Sequence, residues 1–287
     1  MSKDMHHTLI SVAQLQAQQA RGAPLLILDL GFDLADTAAG ERAYGEGHLP
    51  SAHYLHLDRD LSGPKTGPDG RFRGRHPLPD REAFAARLAG LGLAPATQVV
   101  CYDAQGGMYA ARAWWMLRWL GHAAVAVLDG GLAAWTAAGG ALSSTPAGAQ
   151  PGSFRPGESL VGSVEAAQLQ RQLGRLRLID ARAPERFRGE VEPLDRQAGH
   201  IPGASNRLFK NNLAADGRFK PADQLREEFT ALLAPFAPGQ VVHQCGSGVT
   251  ACHNLLAMEH AGLVGALLYP GSWSEWSADP ARPIARG

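Results

Sequence analysis

The chain has 287 residues, 45% hydrophobic and 19% charged, with 27 basic and 27 acidic side chains. That is enough for one large domain or two ordinary ones with a sizeable core. Zero formal net charge favours neither nucleic acid nor an anionic membrane as partner, and no stretch approaches the ~18 uninterrupted apolar residues of a conventional membrane span.

In chain order, the opening "MSKDMHHTLISVAQLQ" lacks the basic head and apolar run of a secretory signal. "PLLILDL" (24–30), "TQVVCYD" (97–103) and "AVAVLDG" (124–130) are short continuous apolar runs, as expected of strands buried on both faces. "DREAFAARLAGLG" (80–92) and "YAARAWWMLRWLG" (109–121) predict amphipathic helices, each closing at a glycine suited to a left-handed C-cap. "SSTPAGAQPGSFRPGES" (143–159) has the Ser, Pro and Gly content of a linker. Beyond it, "LRLIDA" (176–181), "GQVVHQC" (239–245) and "GALLYPG" (265–271) predict strands, and "PADQLREEFTALLAPF" (221–236) and "TACHNLLAMEHAG" (250–262) predict helices. Strands alternating with helices imply an α/β fold with a parallel sheet covered on both faces.

The two halves match in order. "LLILDLGFD" at Asp29 pairs with "LRLIDARAP" at Asp180, and "GEGHLPSA" (45–52) with "QAGHIPGA" (197–204). "DGRF" occurs at 69–72 and 216–219, "QVVCYD" matches "QVVHQC", and "LDGGLAAW" (128–135) matches "YPGSWSEW" (269–276). Such order predicts two copies of one domain, residues 1–142 and 161–287, joined by a linker over 143–160.

Chemistry in parallel α/β sheets sits where a strand gives way to a helix, and Cys245 occupies that place in "VVHQCGSGVTACHNLL" (241–256). Gly246 and Gly248 let the loop curl so that successive backbone N–H groups point inward. With the dipole of the following helix, such a cradle favours thiolate over thiol. Ser247 and Thr250 add hydroxyl donors. Cys101 and Cys252 read as small buried hydrophobes. Three cysteines make no disulfide framework, so a reducing cytoplasm is the expected setting. A cysteine phosphatase would need an arginine where this loop has Ala251, and Cys245, Cys252 and His253 fit no standard zinc spacing. A histidine base is required for protease-like pairing, and His243 shares only a strand face with Cys245. No metal or cofactor is expected.

On "GHIPGA", "CGSGVTA", "LYPGSWSEW" and the first-copy "LDGGLAAW", the chain resembles the two-domain rhodanese sulfurtransferases over nearly its whole length. The resemblance implies two tandem rhodanese-like domains, the first inactive because Asp103 stands where the second has Cys245, and the second catalytic. It implies that Cys245 takes sulfur from a donor, becomes a persulfide, and passes it to cyanide or a thiol, which could be a small thiol or thioredoxin. Cys-Gly-Ser-Gly-Val-Thr is similar to the 3-mercaptopyruvate branch, whereas thiosulfate-using members resemble Cys-Arg-Lys-Gly-Val-Thr. Thiosulfate:cyanide transfer is the alternative activity, and a phosphatase or a non-catalytic sulfur carrier are others. On the same resemblance Arg188 and Arg196 clamp the donor carboxylate, Gly246, Gly248, Val249 and Thr250 line the substrate site, and Ser247, Asp60 and His76 assist catalysis, with Asp58 the alternative to Asp60. Asp180 and Arg182 are expected as a structural ion pair, Trp273 and Trp276 as packing residues, and the assembly as a monomer.

Overall fold

The computed structural model describes residues 5–148 and 150–287; residues 1–4 of the opening stretch and Ala149 of the linker lie outside it. The chain divides into two units. One holds the described residues up to Ser62 with Pro79–Leu160 and Ala215–Phe219, and the other holds Gly63–Leu78, Val161–Ala214 and Lys220–Gly287.

In the first unit, β1 (Leu9–Ile10), α1 (Val12–Ala20), β2 (Leu25–Asp29), α2 (Ala39–Glu46) and β3 (Ala52–Tyr54) precede α3 (Arg81–Gly90), β4 (Gln98–Tyr102), α4 (Ala110–Trp119), β5 (Val125–Leu128) and α5 (Gly131–Ala137). All strand pairs are parallel, in the order β1-β5-β4-β2-β3. Every residue of β4 and β5 is buried, which is why these runs are continuously apolar rather than alternating. Helix starts are set locally: Ser11 and Gln14 form a reciprocal capping box on α1, and the Asp80 side chain accepts from Ala83 N–H on α3.

The second unit repeats the plan with β6 (Gly162–Ser163), α6 (Ala166–Arg171), β7 (Arg177–Asp180), α7 (Pro184–Arg188), β8 (Ser205–Asn206), α8 (Ala222–Leu233), β9 (Val241–Gln244), α9 (Ala251–His260), β10 (Leu267–Leu268) and α10 (Ser272–Trp276). Its parallel order, β6-β10-β9-β7-β8, is the first unit's order shifted by five strands, so the sequence repeat is also a repeat of topology. Its core gathers Val242, Tyr269, Trp273 and Trp276; the first unit's gathers Val100, Tyr102 and Trp135.

The repeated "GH" motif is structural. His48 stacks on Tyr44 at 3.8 Å and His200 on Phe187 at 3.9 Å. Each Nδ1 bonds the backbone carbonyl of its stacking partner, at 2.7 and 2.8 Å. Each motif also makes a backbone bridge to the chain leaving its copy, His48 with Ser143 and His200 with Ala285. The segment predicted as a linker is tied down rather than loose: Gly152 N donates to Ala89 O at 2.7 Å, Phe154 N to Leu93 O at 3.0 Å and Gly157 N to Leu120 O at 2.9 Å.

Glu228 on α8 collects Lys220 Nζ at 2.9 Å, Arg207 Nη2 at 2.8 Å and Gln224 Nε2 at 3.0 Å. Burial alone would raise its carboxyl pKa, but these donors win and hold it down at about 2. A depressed carboxylate contributes stability above its unfolded pKa and loses it as pH falls toward the folded one. We therefore expect Glu228→Gln to lower the thermal midpoint at neutral pH, with the deficit shrinking as pH drops from ~4.5 toward 2. Thermal melts of both proteins across that window check it; a pH-independent deficit would contradict it.

Candidate active site

The first unit shows what a loop of this shape does. Asp103, at the end of β4, is buried, and its carboxylate accepts from the backbone N–H of Gln105 at 2.8 Å, Gly107 at 2.8 Å, Tyr109 at 2.9 Å and Ala110 at 3.0 Å. Four donors converging on one side chain at a strand-to-helix turn make an anion cradle, here filled by the chain's own carboxylate.

Cys245 stands at the same place in the second unit, between β9 and α9, and is buried. Gly106 in the first loop and Gly248 in the second share the left-handed conformation, with φ of 75° and 77°. No side chain caps α9 at Thr250, so that hydroxyl, expected as a donor, is not spent on the helix end. Val249, within the loop, is buried. A methyl group at Gly248 would lie 2.3 Å from the Pro270 carbonyl oxygen, so glycine is demanded there by both conformation and space. Ser272, with φ of 54°, is a non-glycine residue held in the left-handed region. Its Oγ accepts from Cys245 N–H at 3.1 Å and donates to Tyr269 O at 2.9 Å, fixing the backbone that carries the thiol. The matching first-copy residue is Gly131, with φ of 55°.

His76 belongs to the second unit although it precedes that copy in sequence, because Gly63–Leu78 folds there. Its Nδ1 lies 2.7 Å from Ser247 Oγ, with both residues buried. Asp60 lies in the first unit, where its carboxylate accepts from His56 N–H at 2.8 Å and from Arg87 Nε at 3.0 Å. Asp58 is also in that unit. His243 is fully buried, its Nε2 3.0 Å from Met258 Sδ, and desolvation pushes its pKa down to about 3, so it stays neutral. Cys101 is raised by burial and then by Asp103, while Cys252 donates to Gly248 O at 3.4 Å; both are core residues.

The arginines expected as the clamp do not line the cysteine loop. Arg188 is exposed and pairs with Glu190 at 2.6 Å, and Arg196 is exposed. The guanidinium groups beside the cysteine loop come from Arg75 and Arg186. A methyl group at Gly246 would lie 2.7 Å from Arg75 Nη2 and 3.6 Å from Arg186 Nη1. In the short helix α7, residues two apart point to different faces, so only one arginine of "RFR" can turn inward. Asp195 pairs with Arg75 Nη1 and, at 3.4 Å, with Arg186 Nη2. Burial raises its carboxyl pKa, against the lowering effect of Arg75. Asp180 and Arg182 form the expected buried ion pair at 2.7 Å, with Arg182 over the Trp273 ring at 4.8 Å.

A description of the rhodanese-like domain matches residues 11–138 and 165–279. The chain belongs to the rhodanese family. It is 51% identical over 285 residues to a probable 3-mercaptopyruvate sulfurtransferase of Pseudomonas aeruginosa, covering 97% of this chain and 98% of that one. It is 34% identical over 277 residues to a thiosulfate sulfurtransferase of Cricetulus griseus, covering 93% and 90%. The solved structure of 3-mercaptopyruvate sulfurtransferase from Leishmania major superposes with a TM-score of 0.82 at 29% identity, covering 94% of this chain and 74% of that one. Rhodanese relatives thus carry both donor names, and no helix among the described residues is long and apolar enough to cross a membrane.

The loop geometry makes a direct prediction. Gly248→Ala should lower stability by about 1–3 kcal/mol, since a Cβ must occupy a left-handed position against a carbonyl. Sulfur uptake at Cys245 should fall at least tenfold even at temperatures where the variant remains folded. Thermal melts together with mass spectrometry of the donor-treated protein check both parts; wild-type uptake in the folded variant would show that the turn is not needed.

Proposed function

We propose that the protein is a 3-mercaptopyruvate sulfurtransferase, with Cys245 the sulfur carrier and the second copy the catalytic one. The observation that carries this choice of donor is the buried His76–Ser247 pair, 2.7 Å apart, two residues along the loop from the thiol. The Cys245 thiolate attacks the donor sulfur, the carbon–sulfur bond breaks, and its electrons leave with carbon as pyruvate enolate. The proton of the donor thiol ends on that carbon, giving pyruvate and a Cys245 persulfide anion. A hydroxyl–imidazole relay is suited to moving this proton. Thiosulfate would leave as sulfite and need no such transfer.

Arg186, supported by Arg75, is the proposed clamp for the donor carboxylate and keto oxygen, since guanidinium offers directed paired donors. A persulfide anion in the loop is stabilised as the Asp103 carboxylate is in the first copy. An acceptor then attacks the outer sulfur: cyanide leaves as thiocyanate, and a small thiol or thioredoxin as the corresponding persulfide, restoring the thiolate. First-copy Asp103 cannot carry sulfur, and that copy supplies His76 from its long loop. A cytoplasmic monomer is the simplest setting. The second reading, thiosulfate as donor, is favoured by one observation: two guanidinium groups beside Gly246.

Persulfide formation on Cys245, measured as gain of one sulfur by mass spectrometry, tests the reading. We expect uptake from mercaptopyruvate faster than from thiosulfate and none in Cys245→Ser. His76→Asn should slow uptake from mercaptopyruvate by about 100-fold, the usual worth of positioned acid–base catalysis, while changing thiosulfate uptake only a few-fold. Faster uptake from thiosulfate, or equal loss with both donors, would favour the second reading.

A further inference from the structure

Arg75 and Arg186, beside Gly246, end a row of charged groups of alternating sign. Asp180 pairs with Arg182 at 2.7 Å, and Arg182 with Glu192 at 3.3 Å. Glu192 pairs in turn with Arg186 at 2.6 Å, Arg186 with Asp195 at 3.4 Å, and Asp195 with Arg75. Three carboxylates thus balance three guanidinium groups, and Arg75 and Arg186 face Gly246 with their charge already offset.

The last two carboxylates are held differently. Glu192 also accepts from the backbone N–H of Leu194 at 3.1 Å and Asp195 at 3.2 Å, so it is anchored to the loop that carries it. Asp195 bonds through its carboxylate to the Arg75 and Arg186 guanidinium groups, which are the cations nearest the loop. Its side chain is only 5% exposed, so the repulsion it exerts is weakly screened by water. Asp195 takes Arg75 Nη1 and Arg186 Nη2, while Arg75 Nη2 and Arg186 Nη1 are the nitrogens nearest Gly246, so an anion at the loop shares both guanidinium groups with Asp195.

We propose that Asp195 is a specificity-determining counterion: it lets a singly charged donor use Arg75 and Arg186 and disfavours a doubly charged one. This rests on the sulfurtransferase reading above and deepens it. Repulsion scales with the ligand's charge, so a carboxylate fixed beside the clamp opposes thiosulfate about twice as strongly as mercaptopyruvate. The carboxylate also explains how a clamp of two cations avoids becoming a general dianion site.

The test is persulfide formation on Cys245 at subsaturating donor. Asp195→Asn should raise the thiosulfate-to-mercaptopyruvate rate ratio about tenfold, a modest charge–charge effect for a partly screened pair. The increase should shrink in high salt, and Asp195→Glu, which keeps the charge, should leave the ratio near the wild-type value. An unchanged ratio in Asp195→Asn, or equal changes in both variants, would overturn the proposal. The wild-type protein supplies an arm that does not depend on the variants folding. Acetate should inhibit mercaptopyruvate uptake at least as well as sulfate; inhibition by sulfate more than tenfold stronger would also overturn it. If wild-type protein takes no sulfur from mercaptopyruvate at all, the functional reading fails; uptake with an unmoved ratio removes only the role of Asp195.

Discussion

Convergence of backbone N–H groups on one side chain at the end of a strand is the constraint on which the first half of this molecule depends. In the first half the side chain is Asp103, and four amides satisfy it. A buried carboxylate without such partners would cost several kcal/mol, so the cradle and the charge require each other. In the second half Gly248, three residues after Cys245, repeats the φ of Gly106, three residues after Asp103. The loop after β4 is thus a structural anion lock, and the corresponding loop after β9 is the proposed carrier site. The difference is a single side chain at the strand end, together with what packs around it.

Much of this was legible in the sequence. The buried strands read as continuous apolar runs, and the structure sets each of them in a parallel sheet, in the same order in both units. The ordered matches between halves translate into matching topology because each copy must bury its own sheet. The "GH" motif marked the repeat, but its cause appears only in three dimensions: stacked rings, a histidine–carbonyl bond and a bridge to the departing chain. The flanking glycines single out Cys245, Ser247 stands out as a hydroxyl in the same loop, and His76 enters only through the resemblance. That those two meet at 2.7 Å depends on Gly63–Leu78 folding with the second unit, which no local pattern announces.

The clamp was less legible. "RFRG" contains two arginines, and which of them lies beside the cysteine loop depends on the face of a one-turn helix that looks inward. Arg75 is more than 100 residues from the cysteine loop, and Asp195 lies in an irregular segment with no periodicity to read. Ser272 carries no local signal of its left-handed conformation, because serine rarely adopts it.

Loop composition alone is therefore a poor guide to donor charge. The sequence Cys-Gly-Ser-Gly-Val-Thr carries no cation, and on that ground it looks suited only to a donor held elsewhere. In the structure, the absence of a side chain at Gly246 is what admits the Arg75 guanidinium to that space, with Arg186 beside it. A loop bearing its own cation at 246 and a loop bearing glycine there can thus present similar positive charge to a ligand. What separates them is the compensation: here each inward guanidinium is already paired with Glu192 or Asp195. In the proposed role of Asp195, selectivity between singly and doubly charged donors follows from the net charge left over beside the thiol, a property of four side chains drawn from two distant segments rather than of the six-residue loop.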